Sequence, residues 1–353
     1  MIFYYNILIA CAFTALFTPI IRLVAIKLNI QDHPNTRKIH KEPTPLLGGV
    51  AVYLGVIIPL SISNSVSPEI HGILIGTTIL FLSGLIDDIK ETPATLRFVL
   101  QIVASIIVIK FGVRISFLPN NIYGITGEWF LTIIWLLGIT NAVNFFDGMD
   151  GLASGLVAIM CTFFFVIAMM TGQKHLATLS SLIIGASIGF LFYNFHPAKI
   201  FLGDAGSQFL GFATASLAVL GEWSEKGPLI AFGIPCLITG ILIFDMFYIT
   251  VKRIAKGETR SLREYLEYVG KDHFHHRVAN LGFSHRQTVI FAYLVTIILG
   301  ISALILRRTF NMLNAILLIA QAGIIFLIIS MLMHIKTKSP TITETQPHAR
   351  KND

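Results

Sequence analysis

Five aspartates stand at the ends of apolar stretches, where a membrane would exclude charge: Asp87 and Asp88 in LIDDIKE, Asp147 and Asp150 in NFFDGMDG, and Asp204 in FLGDAGS. A carboxylate at membrane depth costs about 3 kcal/mol unless it lines a wet, functional cavity, so a set of them argues for a site. Asp87 and Asp88 are neighbours, and on a helix they point about 100° apart. One can face a metal or substrate while the other braces it; a solvated helix end is the plainer alternative. Asp147 and Asp150 share a face if helical, and Gly148 and Gly151 allow backbone to approach a ligand closely. Asp204 lies between Gly203 and Gly206 before Ser207, at a helix start whose free N–H groups would sit near the carboxylate. Such oxygen donors on turns, together with phosphate, suit Mg²⁺, which takes one or two carboxylates and keeps water and substrate oxygens for the rest.

A complementary set is basic. KDHFHHR carries His273, His275 and His276 between Lys271 and Arg277. Zinc is disfavoured, because no cysteine or fourth ligand is near in sequence and the flanking cations repel a metal. Partly protonated imidazoles beside Lys and Arg form a phosphate pocket through charge-assisted hydrogen bonds. RKIHKEPTPLLGG adds Arg37, Lys38, His40 and Lys41 before a proline-rich turn. A basic stretch of this kind is ordinarily a topology determinant or a contact to anionic lipid. Carboxylates for a divalent metal, cations for phosphates and a membrane setting together point to phosphoryl transfer between a soluble nucleotide and a lipid phosphate.

The elements that must position these groups are membrane helices. Hydrophobic residues make up 54% of the 353 and charged ones 13%, well outside the soluble range. The expected fold is an all-α integral membrane protein with about eleven transmembrane helices. They are read at residues 4–28, 46–63, 71–87, 97–112, 128–144, 152–171, 176–195, 206–221, 229–251, 286–306 and 312–334. Connections after odd-numbered helices hold most of the Lys and Arg, the opposite ones only six, so the N-terminus is expected outside and the C-terminus in the cytoplasm. All five aspartates then fall on the cytoplasmic face.

One multi-spanning domain is expected over residues 1–335, with a basic cytoplasmic loop at 252–286 and a disordered polar tail at 336–353. Within the loop, Leu262, Tyr265, Leu266 and Val269 have the spacing of a short amphipathic helix, on the membrane surface or on the protein's own face. The outer connection from Arg114 to Glu128 alternates around Pro119 and suggests a small hairpin. Cys11, Cys161 and Cys236 have no metal or disulfide spacing and read as packing residues. The first apolar run lacks a basic start and a cleavage site, so it reads as a retained helix.

Taken in order, HKEPTPLLGG, LIDD, NAVNFFDGMDGLASG, FLGDAGS and HFHHR resemble the motifs of the polyprenyl-phosphate N-acetylhexosamine-1-phosphate transferases. The match covers most of the chain, and the HFHHR pattern is closer to the undecaprenyl-phosphate GlcNAc-1-phosphate transferases than to the phospho-MurNAc-pentapeptide branch. The resemblance implies a multi-pass enzyme of the bacterial cytoplasmic membrane that moves a sugar phosphate from a UDP-amino sugar to undecaprenyl phosphate and releases UMP. It implies Mg²⁺, with Mn²⁺ as a substitute, and a bilayer setting with no nucleic acid partner; it leaves a homodimer open. It makes Asp204 a direct metal ligand, and places Asp87 as base or orienting group on the lipid phosphate with Asp88 in support. Asn144, Asp147 and Asp150 match the nucleotide and metal motif, Asp150 joining Asp204 at the metal. Asn194 and Phe201 match uridine contacts; His273, His275, His276 and Arg277, with Lys38 or Lys41, match the diphosphate contacts.

Two features depart from the family pattern. Glu91 stands where many members have a third aspartate, and the stretch between Asp245 and the histidines is longer than in some relatives. Asp245 itself sits in an apolar run near a cytoplasmic end, as a structural hydrogen bond or a part of the site. The competing class is a transporter or lipid flippase, which would place ionisable groups near the bilayer midplane and reach them from both sides. Here they gather at one face.

Overall fold

A computed structural model of the chain describes residues 2–32, 43–62, 67–225, 227–257, 273–308 and 312–334. Lys38 and Lys41, the 262–269 segment and the tail lie outside the described residues. Thirteen helices are described: α1 (Ile2–Lys27), α2 (Gly48–Ile62), α3 (Pro68–Ile89), α4 (Ala94–Lys110), α5 (Ile122–Phe146), α6 (Leu152–Thr171), α7 (Lys174–Asn194), α8 (Gly203–Leu220), α9 (Pro228–Ile238), α10 (Gly240–Lys256), α11 (Phe274–Asn280), α12 (His285–Arg308) and α13 (Met312–His334). Among the described residues the only strands are β1 (Gln31–Asp32) and β2 (Thr44–Pro45), an antiparallel pair that brings the two ends of the undescribed 33–42 segment together.

Each apolar stretch expected from the sequence is helical, the ninth as two pieces, α9 and α10, bent by 84°. The break has a local cause. Pro235 has no N–H to donate, Gly240 is a poor helix former, and Thr239 between them turns its N–H and hydroxyl back to the Pro235 carbonyl at 3.0 and 2.8 Å. Among the described residues, seven helices are individually long and apolar enough to cross a membrane, eight if the bent pair is one span. This is an all-α membrane protein.

Burial sorts the helices into layers. The apolar windows of α6 and α7 are 78% buried, those of α1 and α13 only 17%, so α6 and α7 are central and α1 and α13 peripheral. The outer helices turn Leu8, Leu16 and Ile20, or Leu313, Ile316 and Leu317, away from the protein, as a lipid solvent allows. Where α1 meets α7, a Cβ on Gly185 or Gly189 would fall 2.2 Å from the Ile7 carbonyl or 2.4 Å from that of Cys11; this small-xxx-small pair is what lets the backbones touch. Buried hydroxyls close on their own helices: Thr18, Thr77, Thr140 and Thr214 donate to the carbonyl four residues back at 2.6–2.7 Å, so they enter the core without an unpaired donor.

The hairpin expected between Arg114 and Glu128 is absent. Asn121 instead caps α5, its side chain accepting from Gly124 N at 2.9 Å, and helix runs from Ile122. Buried Glu128 then reaches back along the loop, accepting from Leu118 N at 3.0 Å and facing Arg114 Nε at 3.6 Å. Capping chemistry outweighed the short alternating pattern.

Candidate active site

The site is built on the start of α8. Gly84 of α3 lets the two helices meet, since a Cβ there would lie 2.3 Å from the Asp204 carbonyl oxygen. At that contact Asp88 accepts from Asp204 N at 2.7 Å and Ala205 N at 3.1 Å, capping α8 from another helix. The preceding residues are held from the other side: Gly48 N donates to Phe201 O at 2.9 Å, Gly49 N to Leu202 O at 2.7 Å, and Phe201 N to Pro45 O at 2.9 Å. Thus the PTPLLGG and FLGDAGS motifs meet backbone to backbone. Phe201 is half-buried beside β2.

Asp87, one residue earlier on α3, faces differently. It accepts from Thr92 N at 2.6 Å and pairs closely with Arg97, whose Nη1 also reaches Asp204 at 3.3 Å. On its other oxygen Asp204 accepts from Asn144, which donates to Ser207 Oγ at 2.8 Å as well. The two adjacent aspartates therefore split into one brace and one site group, as their angular separation on a helix requires. In the sequence Arg97, at the start of α4, counts only among the charges that set orientation; an arginine just after the LIDD motif was the available signal.

Asp147 follows directly on α5. Burial, then the charges of Asp204, Asp88 and Asp150, push its carboxyl well above the usual carboxylate range. Asp88, Asp147 and Asp204, with Asp87 beside them, concentrate negative charge here, met in part by Arg97. Their donors are all oxygen, which fits a hard divalent cation such as Mg²⁺ and not a thiolate or imidazole metal.

Asp150 points elsewhere. It accepts from His196 Nδ1 at 2.7 Å and Ala198 N at 3.1 Å, while Arg286 donates to His196 O at 3.1 Å and His285 stacks on His196 at 4.2 Å. One donor atom from each of Asp150, His196 and His285 lies within 4.8 Å of the others. The imidazoles are stacked with 19° between their planes, so their in-plane lone pairs run side by side and do not converge on a metal. The cluster is a hydrogen-bonded brace between the α5–α6 turn, the α7–α8 loop and α12. Asn194 belongs to the same brace. It is 3% exposed and spends its amide inside the protein, accepting from Gly151 N at 3.0 Å and Ser154 Oγ at 3.2 Å and donating to Ile200 O at 3.0 Å. His196 and His285 carried no motif signal.

The histidine motif packs over the same turn. His273 places Nδ1 2.8 Å from an Asp245 oxygen and stacks on Phe145 at 4.5 Å. His275 is 1% exposed, and neither ring nitrogen has a hydrogen-bond partner among the described residues. Burial, then His276, His273 and His285, hold its pKa well below that of an ordinary histidine, so it is neutral at pH 7. The expectation of partly protonated imidazoles fails for this residue, because its ring is shut away from water. His276 lies beside it at 4.3 Å; Arg277 sits over the Tyr248 ring at 5.7 Å and reaches Met333 O at 3.4 Å.

A cleft of about 200 Å³ opens beside this cluster, lined by Arg97, Gln101, Asn141, Asn144, Phe145 and Met246 among others. A larger cavity, about 830 Å³, lies at the opposite end of α3, among Glu69, Arg114, Lys174 and Arg307, and holds none of the motif residues. Size alone would favour the second; the chemistry is at the first.

Relatives share this sequence over most of its length. The sequence model of glycosyl transferase family 4 matches residues 70–222. The chain is 36% identical over 298 residues to a probable undecaprenyl-phosphate N-acetylglucosaminyl 1-phosphate transferase of Bacillus subtilis, covering 83% of this chain and 81% of the relative. It is 31% identical over 321 residues to decaprenyl-phosphate N-acetylglucosaminephosphotransferase of Mycobacterium tuberculosis, covering 81% and 78%. To the undecaprenyl-phosphate alpha-N-acetylglucosaminyl 1-phosphate transferase of Escherichia coli K12 it is 29% identical over 304 residues, covering 82% and 79%. With the motifs of that family gathered around one helix start, the chain belongs to the family 4 glycosyl transferases that include the polyprenyl-phosphate N-acetylglucosamine-1-phosphate transferases.

Proposed function

We propose that the protein transfers GlcNAc-1-phosphate from UDP-GlcNAc to a polyprenyl phosphate, undecaprenyl phosphate in bacteria, releasing UMP. The observation that carries this reading is the convergence of Asp87, Asn144, Asp147 and Asp204 with Arg97 at one end of the bundle, beside the histidine motif. In this reading the chain has eleven spans with its C-terminus in the cytoplasm, and works at the cytoplasmic face of the bacterial cytoplasmic membrane, where the nucleotide is.

Asp204 and Asp147 would hold Mg²⁺ or Mn²⁺; when bound, the metal neutralises the diphosphate and the charge that builds on departing UMP. We assign Asp150 to the turn and not to the metal, because one of its oxygens already takes two donors. Asp87, tied to Arg97, orients the lipid phosphate; a phosphate monoester is mostly dianionic at neutral pH, with a second pKa of about 6, so positioning matters more than deprotonation. Arg97 offsets the repulsion between two anionic substrates, and the histidines offer ring N–H donors to the phosphates. Phe201 offers a ring for uracil, while Asn194 acts indirectly by fixing the loop that carries Phe201.

Purified protein with Mg²⁺, UDP-GlcNAc and undecaprenyl phosphate should release UMP, and a panel of UDP-sugars would rank the donors. No UMP from any UDP-HexNAc, together with substrate-dependent flux in liposomes, would move the chain to the transporter class. Gly148→Ala supplies a sharper check. The new Cβ would lie 2.7 Å from His275 Nε2, in a ring with no room to retreat. UMP release should fall at least about tenfold, the loss of roughly one placed hydrogen-bonding group, while the melting temperature drops by only a few degrees. Unchanged turnover would mean that His275 is not part of the site.

A further inference from the structure

We propose that Asp245 is a positioning residue for the histidine motif: it holds His273 by Nδ1–H, so that Nε2 alone remains to meet the substrate and, once protonated, donates to its diphosphate. The inference rests on the reading of this site as a diphosphate-binding transferase centre. Asp245 has no solvent exposure and His273 only 6%. A carboxylate so placed needs full hydrogen bonding, and both oxygens have it: Oδ1 accepts from Phe274 N at 2.7 Å, Oδ2 faces His273 Nδ1 at 2.8 Å. An oxygen of a carboxylate that already accepts a backbone N–H on its other oxygen takes a proton donor from the ring, which puts the hydrogen on Nδ1.

The rest of the setting points toward substrate. His273 lies flat on Phe145, 4.5 Å away with 28° between planes, and Phe145 adjoins Asn144, the partner of Asp204. Phe145, Asn144 and Met246, the residue after Asp245, line one cleft with Arg97. Asp245 is carried there by α10, which leaves the line of α9 at an 84° bend. Without that bend, the apolar run would continue straight and take the carboxylate away from the loop that carries the histidines. The long stretch between Asp245 and His273 in sequence is thereby closed in space.

The test separates tautomer from turnover. In protein labelled with ¹⁵N-histidine, His273, assigned by its loss in His273→Gln, should show a protonated Nδ1, with Nε2 bare in the free enzyme and protonated when UDP-GlcNAc is bound. Asp245→Asn should invert the free-enzyme pattern, since the amide can accept from Phe274 N but now offers N–H to the ring. It should lower kcat for UMP release about 100-fold, because the ring loses the carboxylate that supports a cation facing the charge that builds on the diphosphate, with KM for UDP-GlcNAc changed less than about threefold. Asp245→Asn combined with His273→Gln should be no slower than His273→Gln alone. A bare Nδ1 in the unsubstituted protein, Asp245→Asn at more than half of normal kcat, or losses that multiply would each overturn the role. The first of these reads the unsubstituted protein and needs only His273→Gln, for the assignment, to fold. Absence of UMP release from the unsubstituted protein would sink the functional reading instead, and the nitrogen spectrum would still decide the Asp245–His273 arrangement.

Discussion

Asp204→Asn should abolish UMP release, lowering kcat by about 10³-fold, and should remove bound Mn²⁺ as counted by electron paramagnetic resonance, while the protein remains folded. The substitution is nearly isosteric, and the amide oxygen can still accept from Asn144. What it loses is the charge that faces Arg97 Nη1 at 3.3 Å and that would face the metal. A group aimed at charge that develops in the transition state is worth a factor of about 10²–10³ when removed alone, and a metal lost with it raises the cost. Stability should move the other way or not at all. Asp147 is pushed up by its neighbours, Asp204 first among them after burial, so removing one negative charge relieves that repulsion. A variant that melts early and binds Mn²⁺ normally would contradict both halves of the argument.

The order of motifs was readable because carboxylates are expensive in an apolar chain, and each one therefore marks a place where the fold does something for it. That argument singles out Asp87, Asp88, Asp147 and Asp204, which the fold brings to one end of the bundle, and the angular step between Asp87 and Asp88 anticipates their different partners. It does not identify Arg97, because a cation near a helix end has an ordinary explanation in topology. It does not anticipate the protein partners of Asn194 and Asp150 for a related reason. A polar residue in a motif looks alike on paper whether it meets substrate or the protein's own backbone, and only burial and partners separate the two. Asn194 meets Gly151, Ser154 and Ile200; Asp150 meets His196 and Ala198.

The helices were legible from apolar length, and their ends less so. The α9–α10 break depends on Pro235 and Gly240 acting together, and a window of hydropathy averages over both. Likewise the Arg114–Asn121 loop takes its shape from Glu128 on the following helix, a contact that no local pattern reports. Asp245 shows the same limit from the functional side. Its partner lies 28 positions away in sequence, across residues with no periodic link to it.

Gly203→Ala should be as damaging as the loss of Asp204 itself, although it removes no functional group. Gly203 has φ +72°, a left-handed conformation that costs a residue with a Cβ about 1 kcal/mol. The larger effect is steric. A Cβ there would lie 2.6 Å from one Asp88 oxygen and 2.8 Å from the other, the two atoms that accept from Asp204 N and Ala205 N. The added methyl therefore occupies the place of the cap. Escape is closed on the far side, where Gly49 and Gly206 bring α2 and α8 into backbone contact, so α8 cannot slide away as a unit. Asp88 must move, and two charge-assisted hydrogen bonds of about 1.5–3 kcal/mol each weaken or break. Asp204 is the first residue to feel this, being the second of its helix. The expected result is a loss of UMP release of at least about 100-fold, because a displacement of about 1 Å at a reacting centre costs that much. The melting temperature should fall as well, which distinguishes this variant from Asp204→Asn. Asp88→Asn, which keeps one acceptor oxygen and adds no bulk, should retain more activity than Gly203→Ala; if Gly203→Ala were active while Asp88→Asn were not, the cap would matter through its charge and not through its geometry.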